Sequence, residues 1–194
     1  MSSTAGKSLF IPIPMNDRQQ LLDLVSEHAL QRGEFTLASG KKANYYLDCR
    51  KLTLHPVGAN VIGRGMLEML SGAMPDAVGG MAIGADPITA SIVTLAGQRE
   101  WPLRGFIVRK EPKGHGTGQQ VEGPVKPGDR VAIVEDVITS GGSAIAAVKA
   151  ARQFGLVVEG VYAIIDRLAG GQQAFAELGV PLTTLCTVDD FGLR

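Results

Sequence analysis

VAIVEDVITSGGSAIAAV, residues Val131–Val148, carries three structural signals in a row. The turn-forming Lys126-Pro127-Gly128-Asp129 comes just ahead of it, and four apolar residues, Val131 to Val134, follow that turn. They do not alternate with polar residues, which predicts a short strand buried on both faces, as in a parallel sheet. Glu135 and Asp136 stand where such a strand should end. Thr139-Ser140-Gly141-Gly142-Ser143 is then a small, hydroxyl-rich turn, and Ala144 to Ala151 has the composition of a helix. In open parallel sheets, ligands sit beyond the carboxyl ends of the strands. A glycine-rich turn opening a helix offers unpaired backbone N–H groups and the positive end of the helix dipole, which suit a phosphate.

The acid pair narrows the ligand. Two carboxylates would repel a bare anion, so they call for sugar hydroxyls or, as second choice, a divalent metal. A ribose 5-phosphate meets both requirements, with its phosphate in the TSGGS turn and its hydroxyls on Glu135 and Asp136. The bland alternative is a strand–turn–helix whose acids face solvent. The apolar tetrad and acid pair ahead of the turn favour the site.

VAIVEDVITSGGS resembles the phosphoribosyl diphosphate (PRPP) motif of the type I phosphoribosyltransferases. The resemblance implies an α/β fold: a central, mostly parallel sheet flanked by helices, with a small N-terminal hood. It implies one phosphoribosyltransferase domain over 1–194, with the hood at about 17–55 and the sheet core at about 56–188. It also implies transfer of ribose 5-phosphate to a nitrogenous base, with release of pyrophosphate. The PRPP contacts carried over are Glu135, Asp136, Val137, Ile138, Thr139, Ser140, Gly141, Gly142 and Ser143.

Composition agrees with one globular domain. The 194 residues balance 19 basic against 19 acidic side chains, which argues against a nucleic-acid or membrane surface. Cys49 and Cys186 show no metal-type spacing, no apolar run reaches membrane-spanning length, and the N-terminus lacks a secretory pattern. A cytoplasmic protein is expected, with residues 1–16 a loose leader.

From Asp17, a plausible N-cap, helical spacing runs to Leu30, and Gly33 is expected to stop that helix. Phe35–Arg50, FTLASGKKANYYLDCR, has the signals of a hairpin. On chemistry alone it is a structural hairpin with two packing tyrosines. It is similar to the FTLxSGxxSxYY segment of orotate phosphoribosyltransferases, where the hairpin covers the base. Many members carry a lysine where this chain has Ala38; either Lys41 or Lys42 substitutes, or the chain does without one.

Helices are expected at Asn60–Leu70 and Ile88–Ala96, and strands at Asp76–Ile83 and Leu103–Val108. Gly84-Ala85-Asp86-Pro87 replaces a family loop that often bears a lysine, leaving backbone amides as its pyrophosphate contact. Asp86 is read as a helix cap, with a water-mediated contact to Mg²⁺ as the alternative.

Arg109–Gly123, RKEPKGHGTGQQVEG, is cationic and glycine-rich with almost no apolar anchor, and is expected to be mobile when empty. A solvated surface loop is one reading, and a lid closing on an anionic substrate the other. The loop resembles the family's RKxxKxHG signature. That resemblance puts Arg109, Lys110, Lys113 and His115 on the pyrophosphate, with Arg109, Lys113 and His115 as catalytic candidates. It implies a homodimer in which the 109–123 loop reaches the neighbouring site.

Val157–Ile165 reads as a core strand ending in Asp166-Arg167, with a helix at Gln172–Leu178, a strand at Thr183–Thr187 and a tail from Asp189. A surface salt bridge to Asp166 is the plain reading of Arg167. The resemblance makes Arg167 the holder of the orotate carboxylate, with Thr139 also near the base. Together these motifs imply an orotate phosphoribosyltransferase of pyrimidine (UMP) biosynthesis, using Mg²⁺ held mainly by PRPP and water. The rivals are a transferase for another base, a regulator of the same fold that binds nucleic acid, and a silent PRPP-binding subunit.

Overall fold

The computed structural model describes residues 15–36, 42–111 and 119–193. Helix α1 (Met15–Leu24) passes through one wide helical turn, Val25–Ala29, into strand β1 (Leu30–Thr36). Strand β2 (Lys42–Leu47) pairs antiparallel with β1, Leu30 opposite Leu47 and Thr36 opposite Lys42. Helices α2 (Arg50–Thr53) and α3 (Pro56–Leu70) follow. The chain then alternates: β3 (Ala77–Met81), α4 (Asp86–Gln98), β4 (Arg104–Val108), β5 (Val121–Glu122), β6 (Arg130–Ile138), α5 (Gly142–Phe154), β7 (Val157–Asp166), α6 (Gly171–Glu177) and β8 (Leu182–Thr187).

The six-stranded sheet has the order β5-β4-β3-β6-β7-β8, parallel throughout except for β5. Successive β6 side chains enter opposite cores, as strand geometry requires. Ala132 and Val134 pack with Ile62 and Met66 of α3 and Ile88 and Ile92 of α4. Val131 and Ile133 pack with Ala144, Ala147 and Val148 of α5. From β3 the chain steps through α4 to β4 on one side, then returns to β6 on the other. The carboxyl ends of β3 and β6 therefore lie side by side at the switch point, where such sheets bind ligands.

The middle of β3 has no room for side chains. A Cβ on Gly80 would fall 2.2 Å from the Val134 carbonyl oxygen and 2.6 Å from the Ala85 Cβ. Gly80→Ala is expected to destabilise the protein by at least about 2 kcal/mol, read as a thermal midpoint lower by about 4 °C or more. An unchanged midpoint would show that β3 can shift.

Several expectations need correction. The first helix starts by Met15, and Asp17 does not cap it; its carboxylate takes Arg64 Nε and Nη2 at 3.0 and 3.1 Å. Gly33 does not stop that helix but lies in β1, with φ 153°, at an irregularity in the hairpin register. A glycine marks unusual backbone, which a strand can need as much as a helix end. Helix α3 begins at Pro56 rather than Asn60, and His55 caps it by accepting from Gly58 N. Strand β6 does not end before the acids. It pairs with β7 as far as Ile138 opposite Asp166, so Glu135 and Asp136 lie inside it.

The short segment after β8 packs into the core. Phe191 and Leu193 are buried in the core shared by α1, α3 and α4. Arg18 pairs with Asp190 at 2.7 Å, and Arg32 Nη2 donates to the Phe191 carbonyl at 2.9 Å. No helix among the described residues is long and apolar enough to cross a membrane.

Candidate active site

A cleft of about 1240 Å³ opens at the switch point. It is bounded by Glu135, Asp136 and Val137 of β6, Thr139 and Ser143 of the following turn, and Ile83, Gly84 and Asp86 after β3. Arg109, Lys110 and Glu111 close it beyond β4, Arg167 beyond β7, and Tyr46 to Arg50 on the hairpin side. Residues as far apart in sequence as Asp48 and Arg167 thus face one space.

The turn is shaped for an anion. Gly141 takes φ 83°, a left-handed conformation in which a Cβ would also fall 2.8 Å from the Phe175 ring. It precedes α5, which has no side-chain cap, so the first amides of the helix are open to a phosphate. Ser140 and Gly142 sit exposed on this turn. The Ile138 side chain is buried in the α5 core, and its carbonyl accepts from Arg167 N at 2.8 Å. Any ligand contact from Ile138 is therefore through its backbone.

The acid pair is asymmetric. Glu135 is 6% exposed; its Oε1 accepts from Asp136 N at 3.2 Å, and its Oε2 is buried without a partner among the described residues. Burial first, and then the neighbouring Asp136 charge, push its carboxyl up to about 8. Asp136 Oδ1 accepts from Val137 N at 2.7 Å. The loop after β3 comes down onto both: a Cβ on Gly84 would lie 3.3 Å from Glu135 Oε1 and 3.5 Å from Asp136 Oδ1. A side chain at this position would crowd both carboxylates.

Arg167 does not pair with Asp166. Asp166 is buried, accepts from Leu168 N at 2.8 Å, and has its carboxyl raised by burial. Arg167 turns to the hairpin instead: its Nε donates to the Tyr45 hydroxyl at 3.1 Å, and its guanidinium lies 4.8 Å from the Tyr45 ring centre. That leaves its terminal nitrogens for a planar carboxylate.

Asp86 is not a cap. Helix α4 has no side-chain cap bond, Asp86 Oδ1 is buried without a partner among the described residues, and burial raises its carboxyl. The cationic loop is anchored at both ends. Arg109 N donates to the Gln120 carbonyl at 2.8 Å, Val121 is buried, and Arg109 Nη1 pairs with Glu122 at 3.0 Å. The small antiparallel ribbon of β4 and β5 supplies an apolar anchor, with Val121 buried opposite Val108. Lys113 and His115, like Ala38 and Lys41, lie outside the described residues.

The cleft therefore brings together Arg109, Lys110, Glu135, Asp136, Val137, Thr139, Ser143 and Arg167, all singled out from sequence. Sequence reasoning passed over Tyr45, Asp48 and Arg50. The signal available for the last two was an acid and a base two positions apart, one residue beyond the paired tyrosines. No group of three metal-ligating side chains occurs among the described residues.

No protein-family model matches the chain. Individual relatives do. The chain is 68% identical over 184 residues to an orotate phosphoribosyltransferase of Rhodopirellula baltica, covering 92% of this chain and 95% of that one. Among solved structures, it superposes with a TM-score of 0.83 at 38% identity on the orotate phosphoribosyltransferase of Mycobacterium tuberculosis in complex with Fe(III) dicitrate, covering 91% of this chain and 99% of that one. The same enzyme in complex with PRPP superposes with a TM-score of 0.79 at 36% identity, with the same coverage.

Proposed function

The chain belongs to the orotate phosphoribosyltransferase family and transfers ribose 5-phosphate from PRPP to orotate, and we propose how its residues divide that work. The observation that carries the assignment is the cleft itself. An anion-binding turn, a buried acid pair and a guanidinium held by the hairpin face one another across the ends of β6 and β7. That set offers one partner each to the 5′-phosphate, the ribose and the base.

The turn from Thr139 to Ser143 binds the 5′-phosphate through its amides and hydroxyls. Glu135 and Asp136 accept from the ribose hydroxyls, and Glu135 gives up its proton to do so. The terminal nitrogens of Arg167 take the orotate carboxylate, which turns the ring nitrogen toward C1, and Thr139 borders the base. The C1–pyrophosphate bond loosens ahead of attack. Positive charge developing on the ribose faces the acid pair, and the leaving diphosphate meets Arg109, Lys110, Lys113 and His115. In this reading Arg109 must leave Glu122 as the loop closes, an exchange of one exposed ion pair for another.

Mg²⁺ would be held here mainly by oxygens of PRPP and water. The acids offer hard oxygens, but no group of three protein ligands forms among the described residues. When bound it neutralises diphosphate charge. We place the hood at 17–55 and the sheet core at 56–188, and take the functional unit as a homodimer whose 109–123 loops cross between subunits.

The test follows orotate absorbance on addition of PRPP and Mg²⁺, with adenine, guanine and uracil in parallel. Orotate alone should be consumed, with pyrophosphate released in equal amount. Turnover of a purine, or tight PRPP binding without any turnover, would overturn the assignment.

A further inference from the structure

The loop after β3, residues 82–85, contains no cationic side chain. Among the described residues that line the cleft, the cations are Arg50, Arg109, Lys110 and Arg167. Arg167 is engaged with Tyr45, and Arg109 with Glu122. We propose that Arg50 binds the diphosphate end of PRPP, with Asp48 as the residue that positions it.

The geometry of Arg50 suits that role. It opens the short helix α2, and Asp48 grips it three ways. The Asp48 carboxylate accepts from Arg50 N at 3.3 Å, Nε at 2.9 Å and Nη2 at 3.2 Å. The guanidinium plane is thereby fixed, which removes much of the entropy cost that a free arginine would meet on binding. Nη1 has no acceptor among the described residues, and the side chain is 59% exposed toward the cleft, so it can take a phosphate oxygen. Arg50 lines the same cleft as Asp136, the acid that stands beside the Gly84 backbone. Arg50, Asp136 and Gly84 therefore border one corner.

The chemistry of PRPP places the diphosphate in that corner. With the 5′-phosphate in the turn before α5 and the ribose hydroxyls on the acid pair, the C1 substituent projects away from the turn. It projects toward the loop after β3, whose backbone amides need a cation beside them to hold a group of such high charge. An arginine clamped by a carboxylate is a fixed donor where a lysine would be a mobile one.

This assignment rests on the functional reading above, and the experiment separates the two. Wild-type protein and the variants R50A, R50K and D48N are titrated by calorimetry with PRPP, with inorganic pyrophosphate and with orotidine 5′-monophosphate. PRPP and the nucleotide share the ribose 5-phosphate and differ at C1. R50A should weaken PRPP and pyrophosphate about 10- to 100-fold, the worth of one charge-assisted hydrogen bond, and leave the nucleotide unchanged. R50K should recover part of the loss. D48N should give a smaller loss of the same selectivity, absent when combined with R50A. Equal weakening of nucleotide and PRPP, or none of either, overturns the assignment of Arg50 while wild-type turnover of orotate leaves the functional reading standing. Wild-type protein that binds no PRPP overturns both.

Discussion

Arg167→Ala raises the Michaelis constant for orotate about a hundredfold and leaves that for PRPP within about twofold. The size follows from leaving a carboxylate desolvated in the cleft without its paired donors. The selectivity follows from place. Arg167 lies just beyond β7, facing Tyr45 of the hairpin, whereas the phosphate-binding turn lies beyond β6. Tyr45→Phe should produce the same selective rise at a few-fold only, since it removes the hydroxyl that takes Nε at 3.1 Å but keeps the ring beneath the guanidinium. Steady-state kinetics with each substrate varied in turn reads both. Equal damage to the two Michaelis constants would mean that Arg167 supports the whole cleft and does not read the base.

The other large effect belongs to the acid pair. Glu135→Gln with Asp136→Asn should lower kcat/KM for PRPP about a thousandfold, the combined loss of two hydrogen bonds to charged acceptors. Glu135 also predicts a pH signature. Its carboxyl is raised to about 8 in the free protein, above the ordinary value of 4.5. The native state then holds a proton that the unfolded chain has released. Stability from this group is full below the ordinary value and is lost as pH rises through about 8. The thermal midpoint of free protein should therefore fall across that window, and Glu135→Gln alone should flatten the fall. Ribose hydroxyls favour the ionised form, so PRPP binding near neutral pH should release a proton, measurable by calorimetry in buffers of different ionisation enthalpy. Proton-neutral binding would place Glu135 away from the ribose.

Sequence reading went furthest where chemistry is local. The apolar run Val131–Val134, the acids and the TSGGS turn follow one another along β6 and into the turn beyond it. It stopped where long-range burial overrides composition. Two carboxylates look like the end of a strand, yet pairing with β7 carries β6 through them to Ile138. The Arg167–Tyr45 contact joins positions 122 apart, and no single-sequence pattern announces it. Asp48 and Arg50 went unnoticed for a different reason: an acid and a base two apart on a loop commonly share only solvent. Here they share the cleft.

The ties between the two ends of the chain bear on how the molecule is made. Arg18 and Arg32 are among the first described residues, yet their partners Asp190 and Phe191 are among the last. During synthesis the α1 face and the β1–β2 hairpin emerge early and must wait for nearly the whole sheet before these acceptors exist. Contacts of such sequence separation slow folding and leave apolar surface open meanwhile. The β1–β2 hairpin is therefore translated ahead of the sheet and among the last to dock, and a ribosome-stalled chain ending at β7 should expose it to proteases.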